Sequence, residues 1–409
     1  MKILILSNLY PPDILGGYEL LARDIAEELA RCGHTVRVLT TGGPGGPGNV
    51  TRSLRLARPF GRPAGRDRLR HLWAGLVNRA AMWRYLRTQG RPDVVLVMSL
   101  RRLGLAPLRV LQEAGVPFVL TVHDDWPVAF GVGQAAGLHT RMGHWLDEVL
   151  IPTRSWCGIT PASVVYLSRA VRGSVRAAGV PLPPGEVRPQ GVDLSLFTPR
   201  PFRPMRPEPR LLFVGRLHPS KAPEVALEAL SELERRGVTA SLTFAGEADA
   251  PEYREALQRR ARALGLEERV TWAGQVPRER LPLLYWEADA LLFLSRLAHE
   301  GQGLTYLEAM ACGVPVVASP SGGAREFLER HAAARLAPAC RSGFLADELA
   351  SLHRAPEAQE ALVTRALGIV RAHASLETYV QGLEDVLRQA ARRQAPEPSR
   401  NETHEAHTP

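Results

Sequence analysis

The sequence predicts an α/β protein with two domains, each built on a parallel β-sheet. Short apolar runs alternate with amphipathic segments of helical length, which is the pattern of parallel strands joined by crossover helices. The chain has 409 residues, 45% of them hydrophobic, whereas single domains seldom exceed about 250 residues. Prolines concentrate between Pro199 and Pro209, where they stiffen a linker. We therefore expect one domain over residues 1–195 and another over residues 196–375.

The first half alternates strands and helices. Strands are predicted at residues 3–6, 36–39, 93–98 and 118–122. A helix is predicted near residues 18–31, because Leu21, Ile25 and Leu29 fall on one face. Residues 41–66 are rich in Gly, Pro and Arg and have almost no apolar periodicity, so we expect a mobile surface loop there.

The second half repeats the alternation regularly. Strands are predicted at residues 211–214, 241–245, 270–272, 290–295 and 314–318. Helices are predicted at residues 222–236, 252–264 and 277–287, and around Glu308. Because open α/β sheets place ligand groups beyond the carboxyl ends of their strands, residues that directly follow a strand are candidates for a site.

The net charge of +9 is unevenly distributed. Residues 1–195 hold 24 Lys and Arg against 14 Asp and Glu, a balance of +10, whereas the remainder holds 27 against 28, or −1. No recognised nucleic-acid motif or platform of stacking aromatics accompanies this charge, which disfavours nucleic acid as a partner. An acidic acceptor or an anionic membrane leaflet fits the basic half better.

Residues 69–87 form a predicted helix with two interpretations. Its apolar stripe consists of Leu69, Leu72, Leu76, Ala80 and Trp83. The stripe could pack on the first sheet. Alternatively, because arginines surround it, the helix could lie on an anionic lipid surface.

Cysteine usage and hydropathy indicate a cytoplasmic protein. The four cysteines are Cys32, Cys157, Cys312 and Cys340, and no pair has metal-ligand spacing. No charged-then-apolar leader precedes the first strand, and no apolar run approaches the ~20 residues that cross a bilayer. Any membrane contact is therefore expected to be peripheral. Residues 394–409 are polar and contain proline, so we predict a disordered tail.

The segment Glu300-Gly-Gln-Gly-Leu-Thr-Tyr-Leu-Glu308 is the most informative part of the chain. If it were helical, its eight-residue span would rise about 12 Å and place the two carboxylates near opposite ends of one ligand. Gly301 and Gly303 let the backbone approach a ligand closely. The free amides of the first turn, which includes Leu304 and Thr305, favour an anion such as a diphosphate. The segment thus predicts a cradle for a sugar, a diphosphate and a ribose.

Five separate motifs resemble those of the retaining glycosyltransferases of family 4. They lie at residues 3–17, 213–221, 300–308, 309–318 and 322–326. The resemblance covers roughly residues 1–385. It implies the GT-B fold, in which two Rossmann-like domains face each other across a cleft and a C-terminal helix, here residues 376–393, crosses back to the first domain. It also implies that the acceptor binds to the first domain and the donor to the second.

The resemblance places Arg216 and Lys221 at the leaving diphosphate, where fixed cations stabilise developing negative charge. Lys221 also stands out by composition, because Lys2 and Lys221 are the only lysines in this arginine-rich chain. The alternative for both cations is an exposed loop charge. Two positions depart from the family pattern: Ala222 follows Lys221 where Gly is usual, and Gln302 replaces an aromatic residue.

Further donor contacts are implied by the same resemblance. Glu308 would bind the ribose hydroxyls, and Glu300 would face the sugar ring. Their alternatives are a helix-surface carboxylate and a solvated loop acid. Gly215 belongs to the strand and loop that end at Lys221. Gly16 and Gly17 would bring the first-domain backbone close to the donor phosphates, or else they form an ordinary flexible loop.

The histidines are assigned different roles. His123, at the end of a predicted strand, could hydrogen-bond the transferred sugar, and Asp124 would then lie near the acceptor. The alternative for His123 is a structural strand-end histidine. His34 lies in a helix-to-strand turn and is expected to be structural. His218 and His299 border the predicted site without a fixed family role.

The resemblance implies metal-independent, retaining transfer of a hexose-type sugar from a UDP- or GDP-sugar to a glycan or lipid-linked acceptor, with no cofactor. No spaced Asp-X-Asp motif accompanies the nucleotide pocket, and two cations can supply the charge of a metal. Alternatives are a nucleotide-sugar epimerase or phosphorylase of the same architecture, and a catalytically silent nucleotide-sugar-binding protein. A dinucleotide-dependent oxidoreductase is disfavoured, because neither first loop has Gly-X-Gly-X-X-Gly spacing.

Overall fold

The chain folds into two parallel β-sheets, each covered by helices. The computed structural model describes residues 1–14, 16–43, 47–57, 68–130, 155, 156, 158–296, 301–319 and 321–393. The predicted tail at residues 394–409 and most of the 131–157 segment lie outside these ranges. Among the described residues, no helix combines the length and the apolar character needed to cross a membrane.

The first sheet consists of parallel strands with nearly continuous apolar sequences. They are β1 (Lys2–Leu6), β2 (Thr35–Thr40), β3 (Val50–Arg52), β4 (Val94–Val97), β5 (Phe118–Val122), β6 (Ser163–Tyr166) and β7 (Glu186–Val187). Their spatial order is β3-β2-β1-β4-β5-β6-β7. The central strands β4 and β5 are buried along their whole length, as expected where helices cover both faces.

Within the described residues, the helices of the first sheet are α1 (Gly17–Arg31), α2 (Arg68–Gln89), α3 (Ala106–Glu113) and α4 (Arg169–Ala177). Leu21, Ile25 and Leu29 of α1 are buried against Ile3 and Ile5 of β1, so the predicted helical face is confirmed. We call the unit built on this sheet the N-terminal domain.

The second sheet forms the C-terminal domain. Its strands are β8 (Arg210–Val214), β9 (Ser241–Ala245), β10 (Val270–Gly274), β11 (Ala290–Leu294), β12 (Val316–Ser319) and β13 (Arg335–Leu336), in the order β10-β9-β8-β11-β12-β13. Its helices are α5 (Pro223–Arg235), α6 (Pro251–Ala263), α7 (Leu281–Glu287), α8 (Thr305–Ala311), α9 (Gly322–His331), α10 (Ser342–His353) and α11 (Pro356–His373). The alternation predicted for this half is therefore confirmed.

The last helix, α12 (Leu376–Arg392), returns to the N-terminal domain. Its buried Val380, Leu383 and Leu387 join the same core cluster as Ile3 and Leu21. Ser375 caps its first turn by accepting a hydrogen bond from the backbone N–H of Thr378, at 3.1 Å. The crossover helix implied by the sequence is present, and it ties the end of the chain to its beginning.

His34 is structural, as predicted, because its buried ring joins the N-terminus to α12. Its Nδ1 lies 3.1 Å from the Met1 amine, and its Nε2 lies 2.9 Å from Oε1 of Glu384 on α12. The side chain of His34 is only 3% exposed. Its ring nitrogens therefore depend on these two partners, and not on water, for their hydrogen bonds.

We expect the Glu384→Ala variant to lose about 1–3 kcal/mol of unfolding free energy, because it leaves a buried polar group without its partner. Chemical denaturation of wild type and variant measures the loss. Asp385→Ala, which removes an exposed acid next to Glu384 on the same helix, is the control and should change little. Equal stabilities of the two variants would show that the His34 contact does not anchor α12.

The loop predicted at residues 41–66 is wrong in part, because it contains the short strand β3. Val50, Thr51 and Arg52 pair in parallel with Val38, Leu39 and Thr40 of β2. The strand escaped prediction because it has only three residues, lies at the sheet edge and follows a Gly-rich stretch. Residues 44–46 and 58–66 lie outside the described part of the loop.

The face that α2 buries differs from the predicted stripe. Buried on this helix are Ala74, Asn78, Ala81, Met82 and Tyr85, whereas Leu76 and Trp73 are 54% and 56% exposed. The Asn78 side chain fixes this orientation, because it exchanges hydrogen bonds with the Arg55 backbone and donates to the Leu103 carbonyl. The polar Asn78 therefore occupies the interface, whereas Leu76 of the predicted stripe faces solvent. Leu72 and Trp83 are half-buried, and the side chain of Leu69 lies outside the described residues.

Candidate functional site

The candidate site lies where the carboxyl ends of strands from the two sheets approach each other. His123 and Asp124 follow β5, Gly215 and Arg216 follow β8, and the segment from Gly301 to Leu304 precedes α8. We call the space between these segments the cleft. Parallel α/β sheets position ligand groups at this end of their strands.

His123 is buried at the cleft and held by two tyrosines. Its ring stacks on Tyr18 of α1, with the centroids 4.9 Å apart, and its backbone N–H donates to Tyr18 Oη at 3.1 Å. Its Nε2 lies 3.3 Å from Oη of Tyr379, on α12. Burial lowers the pKa of His123 from 6.5 to about 3. The imidazole is therefore neutral near pH 7 and can donate a hydrogen bond from only one ring nitrogen.

Glycines let the two domains approach each other beside His123. A Cβ on Gly301 would lie 1.8 Å from the His123 carbonyl oxygen, and one on Gly323 would lie 1.6 Å from the Gly301 oxygen and 2.5 Å from Ser168 Oγ. Any side chain at either glycine would force the domains apart. Gly301 was expected to let a ligand approach the backbone, whereas its observed contact joins the two domains.

The start of α1 reaches the same segment. Gly16 is its N-cap, and the backbone N–H of Gly16 donates to the Glu19 carboxylate at 2.9 Å. A Cβ on Gly17 would lie 3.1 Å from Leu304 Cδ1, so this glycine faces the segment that precedes α8. The structure thus brings together Gly17 and Leu304, which were both predicted to contact the donor.

Glu308 lies in the first turn of α8 and is buried. Its Oε2 accepts a hydrogen bond from Tyr285 Oη at 2.8 Å, and the same hydroxyl lies 3.2 Å from the Thr305 carbonyl. Burial raises the pKa of Glu308, whereas Arg278 and the Tyr285 hydrogen bond lower it. The carboxylate is therefore part of an internal network, and the alternative of a solvated helix-surface acid is wrong.

The assumption that the whole of residues 300–308 is helical is wrong for residues 301–304. Residues 301–304 are not helical, and α8 begins only at Thr305. Gly303 has a φ of +82°, and a Cβ there would lie 3.0 Å from the Phe293 ring, so a helix cannot pass through it. The rise of about 12 Å expected from a helix does not apply. Glu300 and His299 lie outside the described residues.

Gln302 connects the segment to the end of the N-terminal domain at Gln190. Its Oε1 accepts a hydrogen bond from the Gln190 backbone N–H at 2.9 Å, and its side chain is buried. Its Nε2 has no hydrogen-bond partner among the described residues. A phenylalanine or tryptophan at this position could not accept this hydrogen bond, so Gln302 has a structural role here.

Arg216 follows Gly215, whose φ is +141°. The Arg216 guanidinium is 54% exposed and lies 2.8 Å from the Asp249 carboxylate. Exposed ion pairs contribute only about 0–1 kcal/mol. Asp249 therefore holds Arg216 weakly, and a diphosphate could replace Asp249 as the ion-pair partner of the guanidinium.

Lys221 ends a 3-10 turn, Pro219–Lys221, which the His218 imidazole caps by accepting from the Ser220 backbone N–H at 3.1 Å. Ala222 follows with a φ of +50°, a left-handed conformation that is disfavoured for alanine by about 1–2 kcal/mol. Its methyl group is fully buried in the core of the C-terminal domain, which offsets this strain. Ala222 therefore adopts a left-handed conformation that glycine would adopt without strain.

Asp124 is held in a small ionic cluster. Its Oδ1 accepts hydrogen bonds from the Trp126 backbone N–H at 2.8 Å and from Arg101 Nη2 at 3.2 Å, and Arg101 also binds Asp125. Burial raises the pKa of Asp124, and Arg101 opposes that rise. Arg101 and Asp125 were not predicted as site residues.

The tyrosines that hold His123 were also missed by sequence reasoning. Tyr18 could have been found, because it directly follows Gly17. No local pattern could have indicated Tyr379, which lies 256 residues from His123. Among the described residues, no group of three or more His, Cys, Asp or Glu side chains is placed to hold a metal ion.

Two family models match the chain. The model described as Glycosyltransferase Family 4 matches residues 15–196, and the model described as Glycosyl transferases group 1 matches residues 200–367. The two matches follow one another along the chain and between them cover both domains.

Two similar proteins of known name are glycosyltransferases. The chain is 33% identical over 282 residues to a D-inositol 3-phosphate glycosyltransferase of Frankia alni, an alignment that covers 65% of this chain and 67% of the relative. It is 38% identical over 217 residues to a GDP-mannose-dependent alpha-(1-6)-phosphatidylinositol monomannoside mannosyltransferase of Mycolicibacterium smegmatis. That alignment covers 49% of this chain and only 56% of the mannosyltransferase.

Solved structures share the fold at low sequence identity. An Anabaena protein in complex with UDP and glucose is 20% identical with a TM-score of 0.70, covering 95% of this chain and 99% of that one. A sucrose-phosphate synthase from Thermosynechococcus elongatus is 21% identical with a TM-score of 0.71, covering 95% and 98%. These likenesses confirm the predicted fold, two Rossmann-like domains facing across a cleft.

Proposed function

The chain belongs to glycosyltransferase family 4, and from this premise we propose that it transfers a hexose-type sugar from a nucleotide-diphosphate donor to a hydroxyl acceptor. Transfer proceeds with retention of the anomeric configuration. The donor binds to the domain of residues 196–375, and the acceptor binds to the domain of residues 1–195. The cleft closes around both substrates and excludes water that would otherwise intercept the sugar.

One observation carries the proposal: the glycine segment of the C-terminal domain meets His123 of the N-terminal domain in the cleft. The contact is close enough that Gly301 tolerates no side chain. Buried Glu308 lies just beyond this segment. A donor whose ribose binds to Glu308 would therefore extend its sugar toward His123.

The donor diphosphate is the proposed ligand of Arg216 and Lys221. Both residues lie in the loop after β8 and precede α5, so they approach the cleft from the same strand end. Arg216 is only weakly held by Asp249, since both side chains are exposed. Positive charge at this position stabilises the diphosphate as it leaves the sugar, and no metal ion is required in this scheme.

His123 is proposed to hydrogen-bond the transferred sugar. Its Nε2 faces Tyr379, which leaves Nδ1 as the nitrogen available to a substrate. If Tyr379 donates to Nε2, Nδ1 carries the proton and can donate to a sugar hydroxyl. Tyr379 and Tyr18 are then positioning residues that fix the ring and its tautomer.

Asp124 and the basic N-terminal domain indicate which kind of acceptor the protein uses. Asp124 directly follows His123, and its carboxylate could accept a hydrogen bond from the acceptor hydroxyl. Trp73 and Leu76 are exposed on α2, as are Arg84 and Arg87, which favours a peripheral contact with an anionic membrane that carries a lipid-linked acceptor. Co-sedimentation with anionic but not with neutral vesicles tests this contact.

A donor and acceptor assay tests the function directly. We expect one UDP- or GDP-hexose to stabilise the protein by about 2.7 kcal/mol at a hundredfold excess over its dissociation constant. With that donor, NMR should show a product of unchanged anomeric configuration, formed equally well in EDTA. Inverted product or strict loss of turnover in EDTA would contradict the proposed mechanism. Tight donor binding without turnover on any acceptor would instead indicate a nucleotide-sugar-binding protein.

A further inference from the structure

A buried ion pair joins the two domains next to the proposed ribose site. Arg278 lies in a 3-10 turn, Arg278–Arg280, that follows β10 of the C-terminal domain, and its Nη1 donates to Oδ2 of Asp24 on α1 of the N-terminal domain. The side chains of Arg278 and Asp24 are only 5% and 7% exposed. A buried pair of this kind is favourable only while both charges are present.

Arg278 is linked to Glu308 through two aromatic side chains. The guanidinium lies over the Phe197 ring, which packs edge-on against Tyr285 with 6.0 Å between the ring centroids, and Tyr285 donates a hydrogen bond to Glu308. The electrostatic interaction between Arg278 and Glu308 favours the charged form of both side chains. The other groups that influence Glu308 are Tyr285, which donates a hydrogen bond to it, and Asp24, whose negative charge opposes its ionisation. Arg278 thus partly opposes the rise in the pKa of Glu308 that burial causes.

The guanidinium of Arg278 is positioned from several directions. It lies over the ring of Phe197, with 5.6 Å between Cζ and the ring centroid. Its Nε has no hydrogen-bond partner among the described residues. Asp24 makes the ion pair with Arg278 from the opposite domain, and opening of the cleft would break it. Asp193 adds a weaker electrostatic interaction with Arg278.

We propose that Asp24 and Arg278 form a positioning pair that couples closure of the cleft to donor binding. Asp24 holds Arg278 when the domains meet, and Arg278 then holds Glu308 as an ionised acceptor for the ribose hydroxyls. The inference rests on the proposed function, and it predicts that a residue of the N-terminal domain controls nucleotide affinity without contacting the nucleotide.

The test compares UDP and GDP binding to wild type, Asp24→Asn and Arg278→Gln by calorimetry over a range of pH. We expect each variant to bind the nucleotide at least about tenfold more weakly, as expected when one partner of a buried pair is lost. Removing Arg278 also removes an interaction that lowers the pKa of Glu308. In Arg278→Gln, affinity should therefore be lost at a higher pH than in wild type as the solution is acidified.

Two matched control variants and a double variant with exchanged charges distinguish a positioning role of the pair from a purely structural one. Glu27→Gln on α1 and Arg280→Gln in the same turn remove exposed charges and should bind like wild type. The double variant Asp24→Arg with Arg278→Asp restores an interdomain pair but places a negative charge beside Glu308, so its affinity should stay about tenfold reduced or lower. Full recovery of affinity would show that the pair acts only as a structural bridge, which overturns the inference.

The proposed function and this inference fail in different ways. If wild type binds neither UDP nor GDP, the proposed function fails and the inference fails with it. If wild type binds the nucleotide and both single variants bind it equally well with the same pH dependence, only the inference is overturned. Asp24→Asn preserves the side-chain shape, so its result stands even if Arg278→Gln does not fold.

Discussion

Replacing Lys221 by alanine is expected to lower kcat/KM for the nucleotide sugar by about 10²–10³-fold. Removal of a single preorganised donor at a site of developing charge has effects of this size. Lys221 ends the loop after β8, where the proposed diphosphate would lie. Because the charge on that diphosphate grows as the glycosidic bond breaks, we expect the loss mainly in kcat rather than in KM.

The chain supplies its own control for this experiment, because Lys2 is its only other lysine. Lys2 is exposed at the start of β1, at the opposite end of the strand from the cleft, and Lys2→Ala should leave kcat/KM unchanged. Initial rates at several donor concentrations give both constants. Equal kinetics for Lys221→Ala and Lys2→Ala would remove Lys221 from the donor site.

Acidification should destabilise the wild-type protein through His123. The pKa of this buried histidine is about 3, against 6.5 for an ordinary histidine. Between these values the unfolded chain binds a proton that the folded protein excludes, so stability is fully present above pH 6.5 and falls as the pH drops toward 3. The slope is about 1.4 kcal/mol per pH unit, or roughly 2–3 kcal/mol between pH 6.5 and 4.5.

The His123→Phe variant should lack this dependence. Denaturation of wild type and variant at pH 7 and 4.5 gives the difference, and His218→Gln serves as the control because His218 is only half-buried. Parallel losses of stability in wild type and His123→Phe would show that His123 binds a proton equally well in the folded and unfolded states. In that case burial would not lower the pKa of His123, and the pH dependence expected here would be wrong.

The sequence predicts a strand well where the strand is buried and its residues therefore form a continuous apolar run. Residues 118–122 and 241–245 are strands with the predicted bounds, because both are flanked by turn residues and buried by crossover helices. The edge strand β3 was missed, since three half-buried residues carry no such signal. The rotation of α2 was missed because Asn78 sets it through backbone contacts at Arg55 and Leu103.

The candidate site was predictable only as a set of motifs. Local patterns identify Glu308, Lys221 and the glycines, but they do not indicate which side chains meet in space. Asp24 and Arg278 lie 254 residues apart, and their pairing depends on how the two domains face each other. Ala222 shows the same limit: its left-handed backbone conformation follows from the fold, and the buried methyl group compensates for the missing glycine.

A crystal structure with bound UDP or GDP would test the central claim most directly. The account predicts a diphosphate in the cleft within hydrogen-bonding distance of Lys221 and Arg216, with the ribose hydroxyls on Glu308. A nucleotide bound elsewhere on the protein, with the cleft unoccupied, would contradict it.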